Sequence, residues 1–174
     1  MSEEISTPED SEAKPTTRST TKTVKEPTVL EQLQESLSKK VERSSVFIEV
    51  PERPGITIEV SPNITQHQMR SWRKQAGEDT KAGMDATKFA AAVVGHTTIA
   101  IWVNDQPAVD DSGLAFTFGS DEILRLTNTT RPIPDCVQAF FGIDPHVESA
   151  ALAILDAAGY GDTVETTTDP TLKS

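Results

Sequence analysis

Residues 120–162 are interrupted at such short intervals that they fit little besides three brief helices packed side by side. Ser120 stands where a helix cap is expected, ahead of Ile123, Leu124 and Leu126. Pro132 and Pro134 fall near the start of a second helix, where proline is tolerated because the first helical amides lack an acceptor. Its stripe is Ile133, Val137, Phe140 and Phe141, and Gly142 supplies the stop. Asp144 and Pro145 open the third helix and Gly159 closes it. Val147, Ala150, Ala151, Ile154, Leu155 and Ala158 share one face there, and the alanines admit another helix at close range.

Upstream, the pattern alternates between helical and strand periods. Thr28 and Glu31 form a capping box, followed by Leu30, Leu33, Leu37 and Val41 on one stripe, with Lys39, Lys40 and Arg43 at the far end to complement the helix dipole. This amphipathic helix is expected over residues 28–44, and its stripe must pack either on its own domain or on another chain. A β-hairpin follows. Val46, Ile48 and Val50 alternate with Phe47 and Glu49; Ile56, Ile58 and Val60 alternate with Thr57 and Glu59. The turn between them holds Pro51, Pro54 and Gly55.

Asn63 with Gln66 resembles a further helix start, with Met69, Trp72 and Ala76 inward and Arg70, Arg73 and Lys74 outward. A polar loop spans residues 77–83. Asp85 caps a helix lined by Phe89, Ala90, Val93 and Val94, which Gly95 can end. Residues 97–103 read as a strand or as a prolongation of that helix, which periodicity alone does not separate. Residues 104–113 form a turn-rich connection containing Pro107, and residues 114–118 a short strand.

The fold class expected is α+β, mostly helical: an N-terminal β-hairpin joined to a compact C-terminal helical portion, preceded by a disordered N-terminal arm. The arm, residues 1–27, consists of Ser, Thr, Glu, Lys and Pro with almost nothing to bury, so burial cannot offset the entropy of ordering it. Residues 45–162 make the domain and residues 163–174 a flexible tail.

Charge narrows the partners. Of the formal net charge of −11, residues 104–174 carry twelve acids against Arg125, Arg131 and Lys173, a net of −9. Such a surface repels phosphate, which argues against nucleic acid and anionic membrane. No apolar run is long enough to cross a bilayer, and the N-terminus lacks the basic-then-apolar order of a secretory signal. Residence in the cytoplasm is the expectation, and a single cysteine, Cys136, fits a reducing compartment.

Catalytic, metal and cofactor residues are expected to be absent. His67, His96 and His146 lie far apart, with no partner at metal-binding spacing. Asp110 and Asp111 sit in a loop where adjacent carboxylates are usually just solvated, and Cys136 beside Val137 reads as a small buried hydrophobe. Neither a glycine-rich phosphate loop nor a Gly-x-Ser-x-Gly elbow occurs. Trp72, Trp102, Phe140 and Phe141 are either core or interface anchors.

From about Val46 onward the order of features resembles the tail assembly chaperones of long-tailed, siphovirus-type bacteriophages, especially those infecting actinobacteria. The likeness lies in Leu-Ala-Phe-Thr-Phe-Gly-Ser-Asp-Glu at residues 114–122 and Val-Gln-Ala-Phe-Phe-Gly at 137–142. It continues with Asp-Pro-His-Val at 144–147 and Ala-Ile-Leu-Asp-Ala-Ala-Gly-Tyr-Gly-Asp at 153–162. The resemblance implies a non-enzymatic factor that binds the phage tape-measure protein and keeps it soluble during tail assembly. It also implies work in the host cytoplasm, absence from the mature virion, and two further partners: a longer frameshifted form of the chain and the tail-tube protein. Partner contacts are expected at Phe140, Phe141, Val147, Ala150, Ala151, Ile154 and Leu155. The rival expectations are a structural virion subunit, either tail-tube or head–tail joining protein, and an enzyme or its inhibitor.

Overall fold

The computed structural model describes residues 24–161, and the chain divides after Lys40 into two units. Most of the expected arm, and the tail at residues 163–174, lie outside the described residues.

In the N-terminal unit, α1 (Val29–Ser38) starts on a complete capping box. The Glu31 amide donates to Thr28 Oγ1 at 3.2 Å, and the Thr28 amide donates to Glu31 Oε2 at 2.7 Å. The helix stops six residues short of the expected end. Ser38 Oγ donates to the Glu35 carbonyl at 2.7 Å, competing with the backbone ladder, and Lys39 turns extended. Val41, Lys40 and Arg43 are therefore not helical, and Lys39 is only the C-terminal cap.

The C-terminal unit is built on a four-stranded antiparallel sheet in the order β1-β2-β3-β4. Strands β1 (Val46–Glu49) and β2 (Ile56–Val60) form the expected hairpin, with Val46 opposite Val60 and Ile48 opposite Ile58. β3 (Thr98–Val103) follows the preceding helix directly and resolves the open reading of that stretch as a strand. A bulge opposite Glu59/Val60 leaves Ile99 without a cross-strand partner, and that residue is exposed. Asn104 and Asp105, both at positive φ (48° and 64°), make the tight turn into β4 (Gln106–Pro107). Residues 114–118 do not form the expected strand. The amide and carbonyl of Thr117 are both taken by Ser120 in a turn, and the segment meets the sheet edge through a Val109–Ala115 bridge and the Phe116 backbone.

Helix α2 (Gln66–Gln75) is capped by Thr65 and Gln68 instead of Asn63 and Gln66. Asn63 instead clamps the Arg43 backbone, accepting from its amide at 2.8 Å and donating to its carbonyl at 2.9 Å. Helix α3 (Ala86–Thr97) begins as expected, with Asp85 Oδ1 accepting from the Lys88 amide. It runs through Gly95, which does not end it. A Cβ on Gly95 would lie 2.5 Å from Ile133 Cγ1, so this glycine lets the Pro132–Cys136 segment approach. Gly95→Ala is expected to destabilise the domain in urea titration by about 1–3 kcal/mol through overpacking. That outweighs the gain of about 1 kcal/mol in helix propensity, and equal or greater stability would show that Ile133 moves aside freely.

Three short helices do occupy the last third: α4 (Asp121–Thr127), α5 (Val137–Phe141) and α6 (Asp144–Ala157). Ser120 holds the cap position of α4, yet its hydroxyl accepts from the Thr117 amide at 2.9 Å and makes no cap bond. The two prolines shape a wide, irregular turn, Pro132–Cys136, in which Ile133 is extended, so that residue precedes the helix. Gly142 (φ 88°) ends α5, and Gly159 (φ 92°) follows the end of α6. The organising element is α3. Ala90 to Val94 are buried on every side, and α2, α5, α6 and the proline turn all pack against it.

Candidate functional site

The α6 face singled out by its periodicity is occupied within the domain. Phe141, Val147, Ala150, Ala151 and Ile154 are buried in the core, and Phe140 and Leu155 are half-buried. The Ala90–Val94 stretch of α3 is apolar all round and needs cover, and the alanines of α6 bring that helix close enough to provide it. The expected contact set therefore resolves into core, with two residues at its margin.

Those two margins open onto surface. Leu155 lines an apolar groove between α3 and α6 of about 180 Å³, together with Met84, Phe89 and the largely exposed Leu152. Phe140 packs edge-to-face on Phe118 at 5.1 Å and borders a recess with Leu126 and Arg53, whose Nε donates to the Phe140 carbonyl.

A recess of about 480 Å³ lies among α2, α3, the proline turn and the start of α6. Three of its charged groups already have structural partners: Asp85 caps α3, and Arg131 pairs with Asp135 at 2.8 Å. Among the described residues no three His, Cys, Asp or Glu side chains are grouped to hold a metal. Asp110 folds its own loop, accepting from the Ser112 hydroxyl and from the Ser112 and Leu114 amides, and these bonds lower its pKa from the ordinary value. His96 stacks on Trp72, ring planes 3° apart, and burial there lowers its pKa. Cys136 is fully buried, with Sγ 3.4 Å from Thr127 Oγ1.

Two exposed features fall outside the expected contact set. The apolar residues of α1, Val29, Leu30, Leu33 and Leu37, are 51–82% exposed, and none of its residues is buried. On the outer face of the sheet, Phe47 and Trp102 meet edge-to-face with centroids 5.4 Å apart. The alternation of Phe47 with Glu49 was the available signal for the second; Trp102 has no glutamate near it in sequence and meets Glu59 only through the fold. No described helix is long and apolar enough to cross a membrane. Compared with known proteins, the chain matches no family model, no curated protein and no solved structure.

Proposed function

We propose that this chain is a non-enzymatic tail assembly chaperone of a long-tailed bacteriophage, acting in the host cytoplasm and left out of the mature particle. Its client in this reading is the tape-measure protein, held soluble until the tail tube polymerises around it. A longer frameshifted form of the chain and the tail-tube protein are further partners.

The observation that carries the reading is α1. Its start is fixed by two reciprocal hydrogen bonds, yet its aliphatic stripe is uncovered. A ten-residue helix is marginal by itself, so a stripe of this kind is completed by apolar surface on another helix. The groove of Met84, Phe89, Leu152 and Leu155 offers a second place for a helical ridge. The acidic excess of residues 104–174 would keep a loaded complex soluble and draw it toward basic client segments. The resemblance at residues 114–162 supplies the identity of the client.

Co-expression of the full chain with a tape-measure fragment tests the proposal. The soluble yield of the fragment should rise severalfold and the two should co-purify. No rise would remove the chaperone reading. Abundant copies of the chain in purified particles, found by mass spectrometry, would replace it with a structural role.

A further inference from the structure

We propose that the outer face of the sheet is a receptor for an arginine side chain presented by a partner protein. The site is a recess of about 350 Å³ lined by Phe47, Glu49, Thr57, Trp102 and Asp105. Register places its residues on one side of three adjacent strands: Phe47 lies opposite Glu59, Glu49 opposite Thr57, and Thr57 opposite Trp102. The other side of the same strands carries Ile48, Ile58 and Ile101 into the core.

Glu59 organises the face. Its Oε2 accepts from the Trp102 indole N–H at 3.0 Å, and its Oε1 accepts from Ser45 Oγ at 2.9 Å. Both carboxylate oxygens are thus engaged and the indole is pinned, with the Phe47 ring set nearly perpendicular to it at 81°. Phe47 remains 56% exposed, although a phenylalanine in a sheet ordinarily gains by burial. Glu49 and Asp105 flank the rings, and among the described residues no ion pair engages either of them or Glu59. Arg53 borders a neighbouring recess together with Glu49 and Asp105, yet it forms no ion pair with either and directs its Nε to the Phe140 carbonyl.

Two aromatic rings bordered by carboxylates that lie in no ion pair attract a cation and repel phosphate. The recess admits a side chain and is far too small for a helix. Among cations, a guanidinium suits it better than an ammonium, because its flat, weakly hydrated fork stacks on a ring while its edge meets a carboxylate. A metal ion is a poorer occupant, since the carboxylates do not form a metal-holding group. This inference is independent of the identity of the client.

Trp102 is its own reporter, because the only other tryptophan, Trp72, is buried in the core. The full chain would be titrated with a capped pentapeptide of one arginine among glycines, following the two indole N–H resonances. The Trp102 resonance should shift and saturate while that of Trp72 stays still. The matching lysine peptide should bind at least about threefold more weakly. The exposed double variant Glu49→Gln/Asp105→Asn should weaken arginine binding at least about fivefold, and circular dichroism would confirm its fold. Asparagine tolerates the positive φ at position 105, which keeps the turn intact. A linear drift without saturation, equal movement of both indoles, or equal affinity for the two peptides in parent and variant would each overturn the proposal. The aromatic pair would then be cross-strand packing alone.

Discussion

Ala151→Asp is expected to unfold the C-terminal unit instead of merely blocking a partner. Ala151 is 3% exposed, on the side of α6 that faces α3. Aspartate there adds volume to a close helix contact and places a carboxylate among alanine, valine and phenylalanine side chains. An unpaired buried charge of this kind costs several kcal/mol, a large part of the roughly 5–15 kcal/mol that holds an ordinary domain together. Thermal melting followed by circular dichroism should show either no cooperative transition or a Tm lowered by more than about 10 °C. The neighbouring residue makes the control. Leu152 is 66% exposed, and Leu152→Asp should lower stability by only about 1 kcal/mol, from lost helix propensity and partial burial. Parental melting of the Ala151 variant would mean that α6 does not cover α3 in solution.

The second large effect is expected at α1. Replacing Leu30, Leu33 and Leu37 together by glutamine keeps charge and helix propensity nearly constant while removing the stripe. Burial of a leucine contributes about 1.5–3 kcal/mol, so losing three from a contact should weaken client binding by well over a hundredfold. In co-expression, the soluble tape-measure fragment should fall back to the level seen without the chain. Circular dichroism of the variant separates loss of contact from loss of fold. Unchanged rescue by a folded variant would move the client site off α1, leaving the α3–α6 groove as the place to search.

The hairpin was legible because its alternation and its proline-glycine turn give the same register twice over. Thr28 and Asp85 were legible as caps because capping is a matter of a few neighbouring atoms. The misreadings share a different cause. Gly95 looks like a stop in the sequence, and only the arrival of Ile133 from elsewhere in the chain explains a glycine inside a helix. Asn63 and Ser120 are good cap residues whose side chains found other donors and acceptors. Most instructive is α6. A continuous apolar face says that something must cover it, and nothing in its spacing distinguishes the molecule's own α3 from a foreign helix. Conversely, α1 carries an aliphatic stripe at helical spacing with none of its residues buried. The aromatic recess depended on bringing β1 and β3 to either side of β2, which no local pattern encodes.

The two-residue strand β4 decides how this sheet can grow. Pro107 ends it without an amide hydrogen to offer, so an incoming strand finds no continuous row of donors along that border. Lateral pairing with another extended chain is therefore directed to the opposite border at Val46–Glu49. That flank of the sheet is thereby kept from seeding a fibril.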